Sequence, residues 1–158
     1  MGSRSRQRGF NFLWAIAAVA IMAIYLGRIG TIWTTEVRRE NEHDLLVVGN
    51  AIRQAIKAYV DVDKDKRFPT RLHDLLSDPR VPYVRRFLRQ AYVDPMTSGD
   101  WELIRGPHGE LFGVYSRADG VPLKQDGFDD EYANFAHQQS YADWKFAHYP
   151  GGGGNVQR

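Results

Sequence analysis

Apolar residues follow two different patterns along the first sixty positions. From Phe10 to Gly27 the run is unbroken except for Asn11, and it resumes past Arg28 through Ile29, Ile32 and Trp33. A helix over that stretch would reach about 34 Å, at roughly 1.5 Å per residue, against a hydrocarbon core of about 30 Å. The pattern predicts one membrane crossing over residues 10–34, with Arg28 reaching up to the interface and Trp14, Tyr25 and Trp33 in its aromatic belts. Beyond Trp33 the spacing changes. Leu45, Val48, Ile52, Ile56 and Tyr59 recur three and four apart, with Arg53 and Lys57 on other faces, as in an amphipathic helix laid on a core. No proline precedes Pro69, so one helix is expected from Phe10 to Val60, with Gly27, Gly30 and Gly49 as its weak points.

The pattern then becomes irregular. The charges of "DVDKDKRFP" end the helix in a surface loop; short helices are expected at Thr70–Leu76, capped by Thr70, and at Tyr83–Ala91. Strand signals come late. "WELIRG" and "LFGVYSR", separated by Gly106-Pro107-His108-Gly109, predict a hairpin, and "YADWKFAHY" predicts a third strand. The tail from Tyr149, "YPGGGGNVQR", is expected to be flexible. The fold class is therefore α+β: a long N-terminal helix, half membrane-spanning and half amphipathic, packed on a small antiparallel sheet.

Charge sets the orientation. Arg4, Arg6 and Arg8 precede the apolar run with no acid among them, which keeps the N-terminus cytoplasmic. Ala18 and Ala20 would serve a signal peptidase, but the run continues past them without a polar cleavage region, so an anchor is favoured over a cleaved export signal. Over the whole chain 21 Lys+Arg face 19 Asp+Glu, which gives no nucleic-acid footprint. No cysteine is present, so disulfides, thiol nucleophiles and Cys-ligated zinc are unavailable.

A basic leader ending in glycine, a phenylalanine directly after it, an uninterrupted apolar helix and a small α+β domain together resemble the type IV pilin family, in particular the pseudopilins of type II secretion. "RFPTRLHDLLSDP" followed by "RFLRQAYVDPM" resembles the pseudopilin loop and helix pattern, with Phe68, Pro69, Thr70, Leu72, Leu75, Phe87, Leu88, Asp94 and Pro95 at the matching places. The resemblance covers the first two thirds of the chain. It implies that residues 1–9 form a leader cut after Gly9 by prepilin peptidase, leaving N-methylated Phe10 as the mature terminus. It also implies a transmembrane helix over 10–34, a periplasmic domain over 35–148 and a tail over 149–158. The implied partners are other pseudopilins or pilins, the peptidase, an inner-membrane assembly platform and lipid, with no nucleic acid. Trp14 departs from the family. The fifth mature residue is usually a glutamate that pairs with a neighbour's terminal amine, and an ionised carboxylate at that depth is functional because it is costly. Tryptophan reads instead as an interfacial anchor of a minor or divergent subunit.

Chemistry beyond assembly is sparse. The five histidines have no ligand spacing and read as surface side chains. No phosphate loop or nucleophile elbow occurs, so an enzyme is not expected. Asp126, Asp129, Asp130 and Glu131 offer hard oxygens in one loop, where the major pseudopilins carry calcium; a solvated turn is the default and calcium the alternative. Arg80, Arg85, Arg86 and Arg89 read as a solvated face or a contact to the next subunit.

Overall fold

The computed structural model describes residues 6–151, with side chains for 12–23 and 35–151. The chain divides into two compact units, Met1–Arg39 and Glu40–Arg158. Helix α1 is Arg6–Val62. In the first unit the described side chains from Phe12 to Ala23 are all exposed. Among the described residues no helix is long and apolar enough to cross a membrane. Residues 10, 11 and 24–34 of the expected crossing lie outside those whose side chains are described.

The second unit is α+β. Its three strands, β1 (Glu102–Arg105), β2 (Leu111–Tyr115) and β3 (Phe146–Ala147), form an antiparallel sheet in the order β1-β2-β3. The expected hairpin forms, with Glu102 opposite Tyr115 and a register shift between Ile104 and Arg105. Gly106 N–H donates to the Glu110 carbonyl at 2.8 Å and Gly109 N–H to the Gly106 carbonyl at 3.1 Å. Gly109 sits at φ 86°, a backbone state that suits glycine.

On the helix, Leu45, Ile52, Ile56 and Tyr59 are buried as the stripe predicts, while Val48 is half-buried. They share a core with Leu111 and Val114 of β2, Phe146 of β3 and an aromatic group from the C-terminal third. Phe135 and Trp144 stack at 5.5 Å with planes 6° apart, and Phe146 meets Phe135 edge-on at 5.2 Å. Trp144 donates its Nε1–H to the Phe135 carbonyl at 3.0 Å, and Trp101 its own to the Tyr92 carbonyl at 3.1 Å, so neither indole is buried unpaired.

Several expectations are corrected. No helix forms over Tyr83–Ala91. Phe87 and Leu88 N–H both donate to the Leu75 carbonyl, and the Arg85 carbonyl accepts from Asp78 N–H, so groups that would build a helical turn are engaged elsewhere. The Thr70–Leu76 helix shrinks to a 3-10 turn at Leu72–Leu75. Its organiser is Asp74, whose Oδ2 accepts from Thr70 N–H at 3.1 Å, Thr70 Oγ1–H at 3.0 Å and Arg71 N–H at 3.0 Å; Thr70 donates instead of capping. The third strand contracts to two residues because Ser140 Oγ accepts from Ala142 N–H at 3.2 Å and turns Tyr141–Asp143 into a 3-10 helix. Tyr149, expected in a flexible tail, is half-buried and meets Phe112 edge-on at 5.7 Å. Residues 152–158 of that tail lie outside the described residues.

Gly49 is a packing position, not a weak point. A Cβ there would lie 2.5 Å from the Phe146 ring, so hydrogen at this position lets helix and edge strand meet. Gly49→Val is expected to lower stability by about 1–3 kcal/mol through overpacking, read as a lower urea midpoint at unchanged slope. Gly99→Ala serves as the control, since the added carbon would meet only Thr97 Oγ1 at 3.5 Å, and it should change stability by less than about 0.5 kcal/mol.

Candidate functional site

Gly9 and Phe10 stand in α1, and their side chains lie outside those described. Trp14, in the same helix, is 64% exposed within a stretch that also exposes Phe12, Leu13, Ile16, Val19, Ile21 and Met22. The apolar side chains therefore cover every face of this part of α1. A helix apolar all round belongs in lipid or among other helices.

The acidic loop is dispersed in its contacts. Glu131 pairs with Arg53 of α1, and Asp126 lies 3.2 Å from His137 Nε2 at an exposed site. Asp129 precedes the 3-10 helix Asp130–Phe135, and Asp130 opens it. Among the described residues no group of three His, Cys, Asp or Glu is placed to hold a metal ion. Beside this loop Arg53 Nε–H donates to Tyr132 Oη at 2.8 Å, and Tyr132 donates on to Asn50 Oδ1 at 2.6 Å. Burial raises the Tyr132 pKa, opposed by the Arg53 charge.

The buried polar groups sit elsewhere, and they serve the backbone. Glu42, 3% exposed, accepts from Leu123 N–H at 2.7 Å, Lys124 N–H at 2.6 Å and Tyr141 Oη–H at 2.8 Å. Asp94, fully buried, accepts from Met96 N–H, Thr97 Oγ1–H and Ser116 Oγ–H at 2.7–2.9 Å. It thereby ties the Asp94-Pro95 turn to the end of β2. Asp74 takes three bonds of the kind given above, and although burial raises its pKa, the Thr70 and Arg71 donors outweigh that and leave it lowered.

Arg80 and Arg85 are not a solvated face. Arg80 binds Asp78 through Nε at 2.8 Å, Asp63 through Nη1 at 3.1 Å and the Tyr59 carbonyl through Nη2 at 3.1 Å. Its guanidinium lies 3.5 Å over the Tyr59 ring. One side chain thus terminates α1 by satisfying a last-turn carbonyl while it neutralises two carboxylates. Arg85 Nε adds a second cation 3.2 Å from Asp78, whose side chain is fully buried. The Asp-Pro-Arg spacing of Asp78 and Arg80 was the only local hint of this knot. His148 is likewise half-buried, stacked on Phe68 at 6.0 Å, and burial lowers its pKa.

Comparison of the chain with family models, curated proteins and solved structures finds no match in any of the three.

The knot has a pH signature. Hydrogen bonding from Arg67, with help from Arg80, holds the Asp63 pKa down at about 2, and hydrogen bonding from Arg80 lowers that of Asp78. Because these folded-state values lie below the unfolded ones, the stabilisation is complete above about pH 5 and is lost as pH falls from about 4 through about 2. Acid unfolding followed by circular dichroism should show that limb. Arg80→Met should remove the Asp78 part of that limb while leaving the part that Arg67 maintains at Asp63, and cost about 3 kcal/mol at pH 7 by leaving the buried Asp78 carboxylate short of partners. Arg80→Lys should recover less than half of the loss, since an ammonium cannot reproduce the fork.

Proposed function

We propose that the chain is a structural subunit of a type II secretion pseudopilus, a minor or divergent pseudopilin that prepilin peptidase processes after Gly9. In this reading residues 10–34 cross the inner membrane with the N-terminus cytoplasmic, and the Glu40–Arg158 unit stands in the periplasm. The protein does mechanical work as part of an assembly and catalyses nothing itself. The observation that carries the reading is the exposed apolar surface from Phe12 to Met22, which water does not tolerate over so long a stretch and which lipid and neighbouring helices would cover.

Two further features support it. The "FPT" and Asp-Pro landmarks of the resemblance are structural stations here: Thr70 is held by Asp74, and Asp94 anchors its own turn on Ser116. Trp14 supplies no carboxylate to pair with a neighbour's terminal amine, and this favours a minor role over that of a bulk filament subunit. A type IV pilus minor pilin is the nearest alternative, and a signal-anchored periplasmic scaffold domain the more distant one.

Mass spectrometry of the mature N-terminus, from hosts with and without prepilin peptidase, tests the class. The expected mass is that of a chain starting at N-methylated Phe10, present only with the peptidase. A terminus that starts at Met1 in both hosts would sink the proposal. Overexpression with the assembly machinery is expected to yield no extended filaments made of this chain alone; long homopolymers under electron microscopy would overturn the minor role.

A further inference from the structure

The segment from Pro79 to Val93 contains four arginines and no acidic residue. The Asp78 knot uses Arg80 and Arg85. Arg86 and Arg89 remain exposed, and no ion pair forms to either among the described residues. Arg89 lines an open groove of about 360 Å³ between α1 and the segment, and Arg86 directly precedes the lining residue Phe87 in the chain. The groove floor is Ala51, Ala55 and Ala58, at helical spacings of four and three, and its wall is Phe87, Leu88 and Tyr92. Tyr83, Val84 and Val93 of the same segment add exposed apolar side chains, 63%, 73% and 59% accessible.

We propose that this groove docks an acidic amphipathic helix of a different protein. Small side chains on the floor let a second helix backbone approach closely. The apolar wall takes its i, i+4 side chains, and Arg86 and Arg89 pair with carboxylates along its flanks. The wall is fixed before any partner arrives, because Leu75 and the Asp78 knot hold residues 78–88 by the bonds described above, and preorganisation of this kind lowers the entropic cost of docking. A lipid surface does not fit a concave track floored by a helix. A nucleic acid would need a longer run of free cations than two. A second copy of this chain is a poor source of the helix: between residues 36 and 44 its exposed acids Glu36, Glu40 and Asp44 are interleaved with exposed Arg39 and His43. The proposal is independent of the processing at Gly9.

The test uses the full chain in detergent micelles and fluorescence anisotropy of a labelled, end-blocked helical peptide of about 15 residues. The peptide carries leucines at i, i+4 and i+7 and glutamates on the flanks. Saturable binding is expected for this probe and not for a sibling with lysine in place of every glutamate, nor for a scrambled sequence of equal composition. Arg86→Glu with Arg89→Glu, and separately Ala58→Trp at an exposed groove position, should each weaken binding by about tenfold or more, with thermal midpoints unchanged. Equal binding of the acidic, basic and scrambled probes would overturn the proposal, as would full affinity in either variant. Self-association of the chain that Ala58→Trp dissolves would assign the groove to a second copy and overturn it equally.

Discussion

Buried carboxylates hold this domain together, because so little of it is regular secondary structure. Apart from α1, only short strands and 3-10 turns supply repetitive hydrogen bonding among the described residues, yet the loops between them pack against a fully buried core. Backbone amides inside a protein must find partners, and here Glu42, Asp74, Asp78 and Asp94 provide them. Each accepts several bonds from one loop, and each is nearly or fully buried. A carboxylate suits this role because it offers only acceptors and binds amides more strongly than a carbonyl does.

The aromatic core depends on those anchors. Phe135, Tyr141, Trp144 and Phe146 come from a stretch without long strands, so their geometry is set by where the chain is pinned. Tyr141 shows the coupling directly: its ring packs on Trp144 at 5.6 Å while its hydroxyl binds Glu42. Packing and polar satisfaction are thus the same contact seen from two ends.

The sequence was legible where periodicity or turn chemistry acts locally. The stripe Leu45, Ile52, Ile56, Tyr59 and the Gly106–Gly109 hairpin follow from spacing alone. The Arg80 knot was legible only in its Asp78 half, two residues away, since Asp63 lies 17 residues away. Glu42 lies in the charged run "RENEHD", yet it stands three before Leu45 and seven before Gly49, on the buried side. Periodicity carried that signal; polarity hid it. The segment 83–91 has good helix formers, and tertiary bonds to Leu75 overrode them. Of the candidate site, the processing residues rest on resemblance, whereas the exposed apolar stretch follows from composition and is described in side chains from Phe12 to Ala23.

Glu42 also fixes when the domain can close. Its partners lie 81, 82 and 99 residues further along the chain, and the ring that fills the gap at Gly49 belongs to Phe146. Chains are made from the N-terminus, so α1 exists long before the groups that seal it. Until residues 123 to 141 arrive the Glu42 carboxylate lacks those partners, and until residue 146 arrives the apolar stripe around Gly49 lacks the ring that covers it. A chain that emerges in sequence would be a poor folder for most of its synthesis and would complete its core almost in one step at the end.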